Sequence, residues 1–277
     1  QPRNRIRLNR LVLHVMSAGS DVLGYAGLKC YTTGPTGARF YFLLFDSKGE
    51  LKAMMQADSL GQIRTGAATA VATRHMAPPE ATRVGIYGSG WQARSQIEAL
   101  AAARTVSQVM VWSRDVDRRE KFCDEMEKAT GVSLRPASRP EDVAAESEIL
   151  VTATSSKEPV LLGAWLEPGH HVNAVGSNSL NRREIDEDAV TRADVIAADS
   201  VEGAKLECGD LYAVVNAGKL SWDEVQELSE IVVSGFTREP RAITLFASQG
   251  IAIEDVAAAK VVYEQGIAEG RGRLIDV

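Results

Sequence analysis

The residues that point most directly to chemistry are the glycines of Gly88-Ser89-Gly90-Trp91-Gln92-Ala93. They follow the apolar run 84–87 and precede a helical pattern. Gly88 allows a tight strand-to-helix turn, Gly90 lets backbone N–H groups approach a pyrophosphate, and Ala93 lets the helix pack closely on a sheet. The spacing therefore predicts a dinucleotide site at a helix N-terminus, with an ordinary structural glycine turn as the alternative.

The next strand, 108–112, ends in Ser113-Arg114-Asp115 and bears on the choice of dinucleotide. In NAD-binding units an acidic residue at this position holds the ribose 2′-hydroxyl. Here Ser113 would not repel a 2′-phosphate, and the forked guanidinium of Arg114 could pair with one. The pattern favours NADP(H) over NAD(H). Asp115 turned back toward the ribose keeps NAD(H) open.

Two segments with different secondary-structure patterns surround the glycine loop 88–93. Residues 1–57 predict an antiparallel meander with strands at 11–15, 26–31, 39–45 and 51–55 and a hairpin turn at 46–49. From Leu60 the apolar period becomes helical as far as Met76, where Pro78-Pro79 stops the helix.

From Arg83 onward, strand and helix patterns alternate. Apolar strands are predicted at 84–87, 108–112, 149–153, 171–175 and 195–198, with helices at 91–103 and 117–130. This alternation predicts a parallel sheet covered on both faces, a Rossmann domain. The chain after Asp199 is predicted to be mostly helical and to end in a helix at 253–269. The fold class is therefore α/β, with a β-rich domain at 1–80, completed by 253–277, and a Rossmann domain at 81–252.

Composition limits the partners that this chain can be expected to bind. The protein has 277 residues, a net charge of −6 and an apolar fraction of 45%. The acidic balance and the scattered basic residues argue against a nucleic-acid surface, and no apolar run approaches the length of a membrane span. Three widely separated cysteines are typical of reduced thiols in the cytoplasm. Adjacent His170 and His171 would face opposite sides of a strand, so no metal site is predicted.

Several separated motifs together resemble the ornithine cyclodeaminase/mu-crystallin family over nearly the whole chain. The matching segments are 27–29, 64–68, 88–93, 151–155, 172–178, 183–185, 198–200, 209–211 and 248–251. The resemblance implies that a segment of a few tens of residues, ahead of Gln1, is absent from this chain. It also implies a homodimer built through the β-rich domain, with substrate held between that domain and the nicotinamide.

The resemblance implies roles for several cations. Arg64 resembles the arginine that clasps the substrate carboxylate, Arg3 or Arg5 its helper, and Lys29 the catalytic lysine. These roles suit a small amino or imino acid, because guanidinium forks match a carboxylate and a shielded lysine among arginines has a lowered pKa. The alternatives are that Arg64 caps a helix start and that Lys29 is an exposed strand lysine.

The remaining site residues lie along the Rossmann segment. The cofactor contacts expected from the fingerprint and the resemblance are Thr65, Gly88, Ser89, Gly90, Trp91, Gln92, Ala93, Ser113, Arg114, Asp115, Thr152, Ala153, Thr154, Val175, Gly176, Ser177, Asp199, Ser248 and Gly250. Taken as bare residue types, the serines and threonines after the third strand are ordinary loop residues, and Asp199 could equally cap a helix.

One departure from the family pattern bears on the reaction. The cyclodeaminase branch carries a catalytic Asp where this chain has Asn178, and an amide cannot accept a proton as a carboxylate does. We therefore expect an NAD(P)H-dependent reductase of small, cyclic or open-chain imino acids (ketimines), reversible as an amino-acid dehydrogenase, with Lys29 and Asn178 as catalytic residues. The alternatives are ornithine cyclodeaminase, a lyase, and a cofactor-loaded binding protein without turnover.

Overall fold

A computed structural model describes residues 2–274, and its contacts divide the chain into two compact units. One unit comprises Gln1–Arg64 and Gly250–Val277, and the other comprises Thr65–Gln249. We call them the β-rich unit and the Rossmann unit.

The β-rich unit is an antiparallel meander packed against one long helix. Its strands are β1 (Asn4–Leu8), β2 (Leu11–Ser20), β3 (Tyr25–Gly34), β4 (Gly37–Asp46) and β5 (Leu51–Gln56), paired in chain order. Residues on one face of β4 are buried, such as Phe42 and Leu44, and they pack against Val256 and Ala259 of the last helix. The predicted meander and its hairpin turn are confirmed, with strands longer than expected.

The Rossmann unit is built on eight parallel strands. They are β6 (Arg83–Tyr87), β7 (Gln108–Trp112), β8 (Ser133–Pro136), β9 (Ile149–Thr152), β10 (His171–Ala174), β11 (Val195–Ala198), β12 (Val225–Glu227) and β13 (Thr244–Ala247). Their order is β12-β11-β13-β10-β9-β6-β7-β8, so the direction of winding reverses beside β6. Ligands of doubly wound sheets bind at the carboxyl ends of strands at such a reversal.

Helices cover both faces of this sheet. In chain order the α-helices of residues 2–274 are α1 (Asp58–Met76), α2 (Trp91–Ala103), α3 (Val116–Thr130), α4 (Pro140–Ala145), α5 (Glu187–Thr191), α6 (Val201–Glu207), α7 (Gly209–Asn216), α8 (Leu228–Ser234) and α9 (Ala252–Ala268). Successive strand residues enter different cores: Val84 and Ile86 pack in one cluster and Tyr87 in another. The predicted α/β class with a Rossmann sheet and a β-rich part is confirmed.

Some elements differ from the sequence expectations. The chain after Asp199 is not only helical, because β12 and β13 lie within it. A short, fully buried apolar strand such as β13 has no alternation that would separate it from a helix. The edge strand β8 was also not predicted, and its last residue, Pro136, cannot donate to a ladder.

The compact units divide within α1, after Arg64, whereas the sequence predicts a boundary at 80/81. The second half of α1 packs on the Rossmann unit, where Ala72 and Met76 contact a cluster containing Phe246. Asn173 of β10 also donates a hydrogen bond to the Thr73 hydroxyl, 3.1 Å away. These contacts draw residues 65–76 into the Rossmann unit.

Among residues 2–274, none of the helices has the length and apolar character needed to cross a membrane.

Candidate active site: a cation cluster and a dinucleotide cleft

Lys29 lies in the middle of β3 with its side chain on the buried face of the meander. It is 3% exposed, so the reading of an exposed strand lysine is wrong. Its Nζ lies 2.9 Å from Oδ1 of Asp255, which belongs to the first turn of α9. A buried ammonium needs such a partner, because an unpaired charge away from water is costly.

Arg64 reaches the same carboxylate from α1. Its Nε donates to Asp255 Oδ1 at 3.1 Å, and its Nη1 donates to Glu254 at 2.7 Å. Arg64 lies inside α1, which begins at Asp58, so it does not cap the helix start. Its guanidinium rests on the backbone of Gly250, where a Cβ would come 2.8 Å from Nη2. The left-handed φ of +76° at Gly250 also favours glycine there.

The electrostatics of this cluster favour proton exchange by Lys29. Burial and the neighbouring Arg64 lower the pKa of Lys29 to about 8, against the opposing effect of Asp255. A lysine with this pKa exists in both protonation states at mildly alkaline pH. The second oxygen of Asp255, Oδ2, is buried and has no hydrogen-bond partner among residues 2–274.

Aromatic side chains border Lys29 on the sheet. Its Nζ lies 5.9 Å from the ring centre of Tyr31 and 5.6 Å from that of Phe40. Tyr31 in turn stacks on His14, with ring centres 4.2 Å apart. Burial and the nearby Arg5 lower the pKa of His14 to about 4, so this ring is neutral near pH 7. The basic side chains of Lys29 and Arg64 are therefore accompanied by neutral aromatic rings beside Lys29.

The two N-terminal arginines that were predicted to help bind substrate differ in position. Arg3 Nη2 lies 3.5 Å from the carbonyl oxygen of Gly250, and its charge contributes to the lowered pKa of Lys29. Arg5 is on β1, directly opposite His14 of β2. Arg3 therefore lies near the Lys29 and Arg64 cluster.

A cleft of about 250 Å³ opens at the carboxyl ends of β6, β7 and β9. Its lining residues are Gly88, Ser89, Gly90, Trp112, Ser113, Arg114, Asp115, Arg118, Thr154, Ser155, Ser156 and Val160. The fingerprint loop and the residues after β7 thus meet in one cleft, as the spacing predicted. The cleft lies beside the reversal of strand order, where this architecture places its ligands.

The cleft fits a dinucleotide at the level of its backbone. Gly88 has φ +119°, and a Cβ there would overlap the carbonyl of Ala153. Gly90 is the N-cap of α2, makes no side-chain cap and would have open space around a Cβ. Ala93 is fully buried in the core below. An uncapped helix N-terminus beside open space suits a pyrophosphate.

The residues after β7 are arranged around the cap of α3. Ser89 and Ser113 share a hydrogen bond of 2.9 Å between their hydroxyls. The carboxylate of Asp115 accepts the backbone N–H of Arg118 at 3.0 Å and thereby caps α3. Arg114, Asp115 and Arg118 all line the cleft, and the Asp115 carboxylate is already engaged as the cap of α3.

The other predicted cofactor residues divide into two groups. Thr154 lines the cleft, whereas Thr152, Ala153, Val175 and Ser177 are buried and lie outside its lining.

Asp199 accepts hydrogen bonds from the Ser248 hydroxyl at 3.0 Å and from the Gln249 backbone at 2.9 Å. It also accepts one from the N–H of Ser200, the residue that caps α6. Asp199 thus connects the ends of β11 and β13.

The last predicted positions are exposed or half-buried. Asn178 lies on the exposed segment that follows β10, Thr65 is half-buried in α1, and Trp91 is 59% exposed at the start of α2. Gly250, expected near the cofactor, belongs by its contacts to the β-rich unit and lies against Arg64.

Several functional candidates were missed from the sequence. Asp255 and Glu254 were not singled out, although two adjacent acids in the first turn of an amphipathic helix were a visible signal. Arg118 was also missed, and its spacing of four residues from Arg114 could have indicated it.

Within residues 2–274 no cluster of three or more His, Cys, Asp or Glu side chains is arranged to hold a metal ion.

Comparisons with known proteins place this geometry in a family. The sequence profile of the ornithine cyclodeaminase/mu-crystallin family matches residues 2–270. A ketimine reductase mu-crystallin of Rattus norvegicus is 34% identical over 223 residues, which cover 80% of this chain and 68% of the relative.

Solved structures agree over almost the full chain. The Thermococcus litoralis Δ1-pyrroline-2-carboxylate reductase in complex with NADH and L-proline is 31% identical, has a TM-score of 0.94 and is matched over 99% of this chain and 89% of its own. An archaeal alanine dehydrogenase dimer with bound NAD is 30% identical, with a TM-score of 0.92 and coverage of 100% and 88%. The expected class, an NAD(P)-dependent oxidoreductase, is confirmed. The chain belongs to the ornithine cyclodeaminase/mu-crystallin family.

Proposed function

We propose that this protein is an NAD(P)H-dependent reductase of small imino acids (ketimines), reversible as an amino-acid dehydrogenase. The observation that carries the proposal is the buried cluster of Lys29, Arg64 and Asp255, held by one chain that also forms a dinucleotide cleft. A relative named a ketimine reductase and one named a Δ1-pyrroline-2-carboxylate reductase support this substrate class.

The cation cluster would bind and orient the substrate. The guanidinium of Arg64 offers forked donors that match a carboxylate. Because Nη1 of Arg64 donates to Glu254, the substrate carboxylate would compete with Glu254 for this donor. Arg3 adds a second positive charge near Gly250. The aromatic wall of Tyr31 and Phe40 beside Lys29 suits an apolar or cyclic side chain.

Lys29 would manage the proton. When bound in the cleft, NAD(P)H supplies the hydride that adds to the carbon of the C=N bond. The imine nitrogen gains one proton as the double bond becomes single, and we propose that the Lys29 ammonium donates it. Asp255 holds that ammonium in position, and solvent restores its proton after each turnover.

Asn178 distinguishes this activity from the lyase of the same family. Cyclodeamination of ornithine requires oxidation, ring closure, loss of ammonia and a return of hydride at one site. A carboxylate at position 178 would assist these steps as a base, and an amide does not. Simple reduction requires only one proton, which Lys29 can supply. The non-catalytic alternative is disfavoured because Lys29 and Arg64 are both retained.

For the cofactor, we propose a preference for NADP(H) over NAD(H). Arg114 and Arg118 border the cleft, and Asp115 is engaged as the cap of α3. A 2′-phosphate would therefore meet two guanidinium groups and a carboxylate already bonded to a backbone N–H. Two structural relatives hold NADH or NAD, which keeps NAD(H) as the alternative.

We also propose that the protein is a homodimer that associates through the outer face of the meander. Strand pairing places Leu28, Leu43 and Met54 in one row across that face, next to a row containing Cys30 and Tyr41. Tyr41 is 46% exposed and Met54 62% exposed. An apolar face of this kind on a folded unit is typical of a protein interface, and a structural relative is a dimer.

The test is a screen for oxidation of NADPH and NADH with imines formed from a panel of 2-oxo acids with ammonia or methylamine, together with preformed cyclic imines. Oxidation that depends on one or a few imines is expected. Loss of activity with every imine would reject the reductase. Release of proline and ammonia from ornithine without net change in NAD(P)H would establish the lyase instead.

A further inference from the structure

Glu184 is a fully buried carboxylate that receives three hydrogen bonds at the edge of the Rossmann sheet. Its Oε2 accepts the Thr152 hydroxyl at 2.9 Å and the backbone N–H of Gly176 at 2.6 Å. Its Oε1 accepts the backbone N–H of Thr154 at 2.5 Å. Glu184 is 0% exposed, so its carboxylate is shielded from bulk solvent.

The three donors come from the ends of two neighbouring strands. Thr152 and Thr154 end and follow β9, and Gly176 follows β10. The contact is close on every side, because a Cβ at Gly176 would lie 2.5 Å from Glu184 Oε1 and from Thr154 N. One carboxylate therefore joins both loops at the sheet edge where the cleft opens.

Thr154 connects this carboxylate to the cleft itself. Thr154, Ser155 and Ser156 line the cleft, and the Thr154 hydroxyl accepts the N–H of Ser156 at 3.0 Å. The path of the loop that borders the dinucleotide site thus begins at a backbone N–H held by Glu184.

A second buried acid fixes Glu184. Oδ1 of Asp210, at the start of α7, accepts the backbone N–H groups of Glu184 at 2.7 Å and of Ile185 at 3.1 Å. Asp210 is 3% exposed. Burial and Asp210 together raise the pKa of Glu184 to about 7, and burial raises that of Asp210 to about 6.

Two neighbouring acids in a protein interior disfavour folding, since each loses hydration when it is charged. Apolar side chains would serve the core better, so stability alone does not account for this pair. A carboxylate is, however, the side chain that can accept several N–H and O–H donors at once. The hydrogen bonds to Glu184 therefore serve to fix the loops after β9 and β10.

We propose that Glu184 is a positioning residue of the cofactor site, whose carboxylate fixes the loops after β9 and β10, and that Asp210 holds Glu184 in place. The inference rests on the proposed dinucleotide function. It assigns roles to Glu184 and Asp210, which belong neither to the glycine fingerprint nor to the cations proposed to bind substrate.

The test compares Glu184→Gln with the wild-type protein by fluorescence titration with NADPH and NADH. The amide keeps the shape but must turn its NH₂ toward the N–H of either Thr154 or Gly176, so one backbone hydrogen bond is lost. We expect the dissociation constant of the preferred cofactor to rise about tenfold, as for loss of a hydrogen bond to a charged group. In steady-state assays the KM for cofactor should rise more than the KM for the imine.

Asp186→Asn is the matched control. The Asp186 carboxylate accepts two backbone N–H groups, from Gly163 at 2.7 Å and Ala189 at 2.9 Å, and makes no bond to the cofactor loops. This variant should lose thermal stability and keep the wild-type cofactor affinity. Thr152→Val provides a second test that preserves volume, and we expect it to weaken cofactor binding several-fold.

The outcomes separate the inference from the proposed function. Wild-type protein that binds neither NADPH nor NADH would reject the proposed function. Wild-type binding with unchanged affinity in Glu184→Gln would overturn the inference, and so would an equal loss of affinity in Asp186→Asn. Should Glu184→Gln fail to fold, unchanged cofactor affinity in Thr152→Val would overturn it.

Discussion

The Lys29 ammonium and the Asp255 carboxylate lie 2.9 Å apart, and their side chains are 4% and 0% exposed. The same oxygen of Asp255 also accepts a hydrogen bond from Arg64. One helix residue near the end of the chain therefore orients both cations that the proposed reaction needs. The negative charge of Asp255 also offsets the repulsion between the buried Lys29 and Arg64 side chains.

The alkaline limit of the reductive reaction should follow Lys29. Burial and Arg64 lower its pKa to about 8, and reduction needs the protonated ammonium, so the rate of imine reduction should fall as pH rises through about 8. Oxidation of the amino acid needs the neutral amine and should rise over the same range. The pH profiles of kcat in both directions measure this. Profiles without a transition in this range would remove Lys29 from the proton step.

Asp255→Asn should move that transition. Asp255 stabilises the charged form of Lys29, so its neutral replacement should lower the pKa of Lys29 further. The alkaline limit of imine reduction should then move to lower pH by about 1 unit or more. Glu264→Gln is the control, because it removes an exposed acid from the same helix and should leave the profile in place. An unchanged profile in Asp255→Asn would contradict the assigned role.

Lys29→Met should reduce kcat for imine reduction by about 10²- to 10⁴-fold, the usual contribution of a positioned acid or base. Methionine retains an apolar stem of similar length, so the site should stay folded with Asp255 still bound by Arg64. Cofactor affinity, measured by fluorescence titration, should not change because Lys29 is not among the residues that line the cleft. Turnover near the wild-type rate would refute the catalytic assignment.

The Rossmann half of the fold was predictable because its signals are local. The fingerprint 88–93, the strand Gln108–Trp112 and the helix stop at Gly131 each depend on neighbouring residues, and Gly131 takes the left-handed conformation expected of a helix stop. Strand β13 was not predictable in this way. Its position between β10 and β11 is set by contacts with distant strands, and a threonine followed by three apolar residues has no distinctive period.

The candidate site was predictable in its cations and not in its anions. Lys29 and Arg64 were found through motifs, but the contact that joins them requires Asp255, which is 226 residues after Lys29 in sequence. Glu184 and Asp210 lie in recognised motifs, yet burial and hydrogen bonds to backbone groups determine their role. Composition and spacing do not report either property.

The cofactor preference is tested by charge removal at the cleft. Arg114→Ala and Arg118→Ala should each raise the KM for NADPH by about tenfold or more, as for the loss of a hydrogen bond between charged groups, and change the KM for NADH much less. Asp115→Asn should affect neither cofactor strongly, because asparagine also caps a helix. A rise in the KM for NADH alone in Asp115→Asn would instead indicate that this carboxylate binds the ribose of NAD(H).

The outer face of the meander is tested by a charge at its most exposed apolar positions. Met54→Glu combined with Tyr41→Glu would place two carboxylates in an apolar interface, where burial of an unpaired charge is strongly unfavourable. Light scattering should find the wild-type protein at twice the mass of the 29.9 kDa chain and the double variant near that of one chain. Val233→Glu is the control, since it charges a side chain of α8 that is 86% exposed, outside this face, and should remain dimeric. A wild-type protein that is already monomeric at micromolar concentration, or a double variant that stays dimeric, would reject this face as the interface.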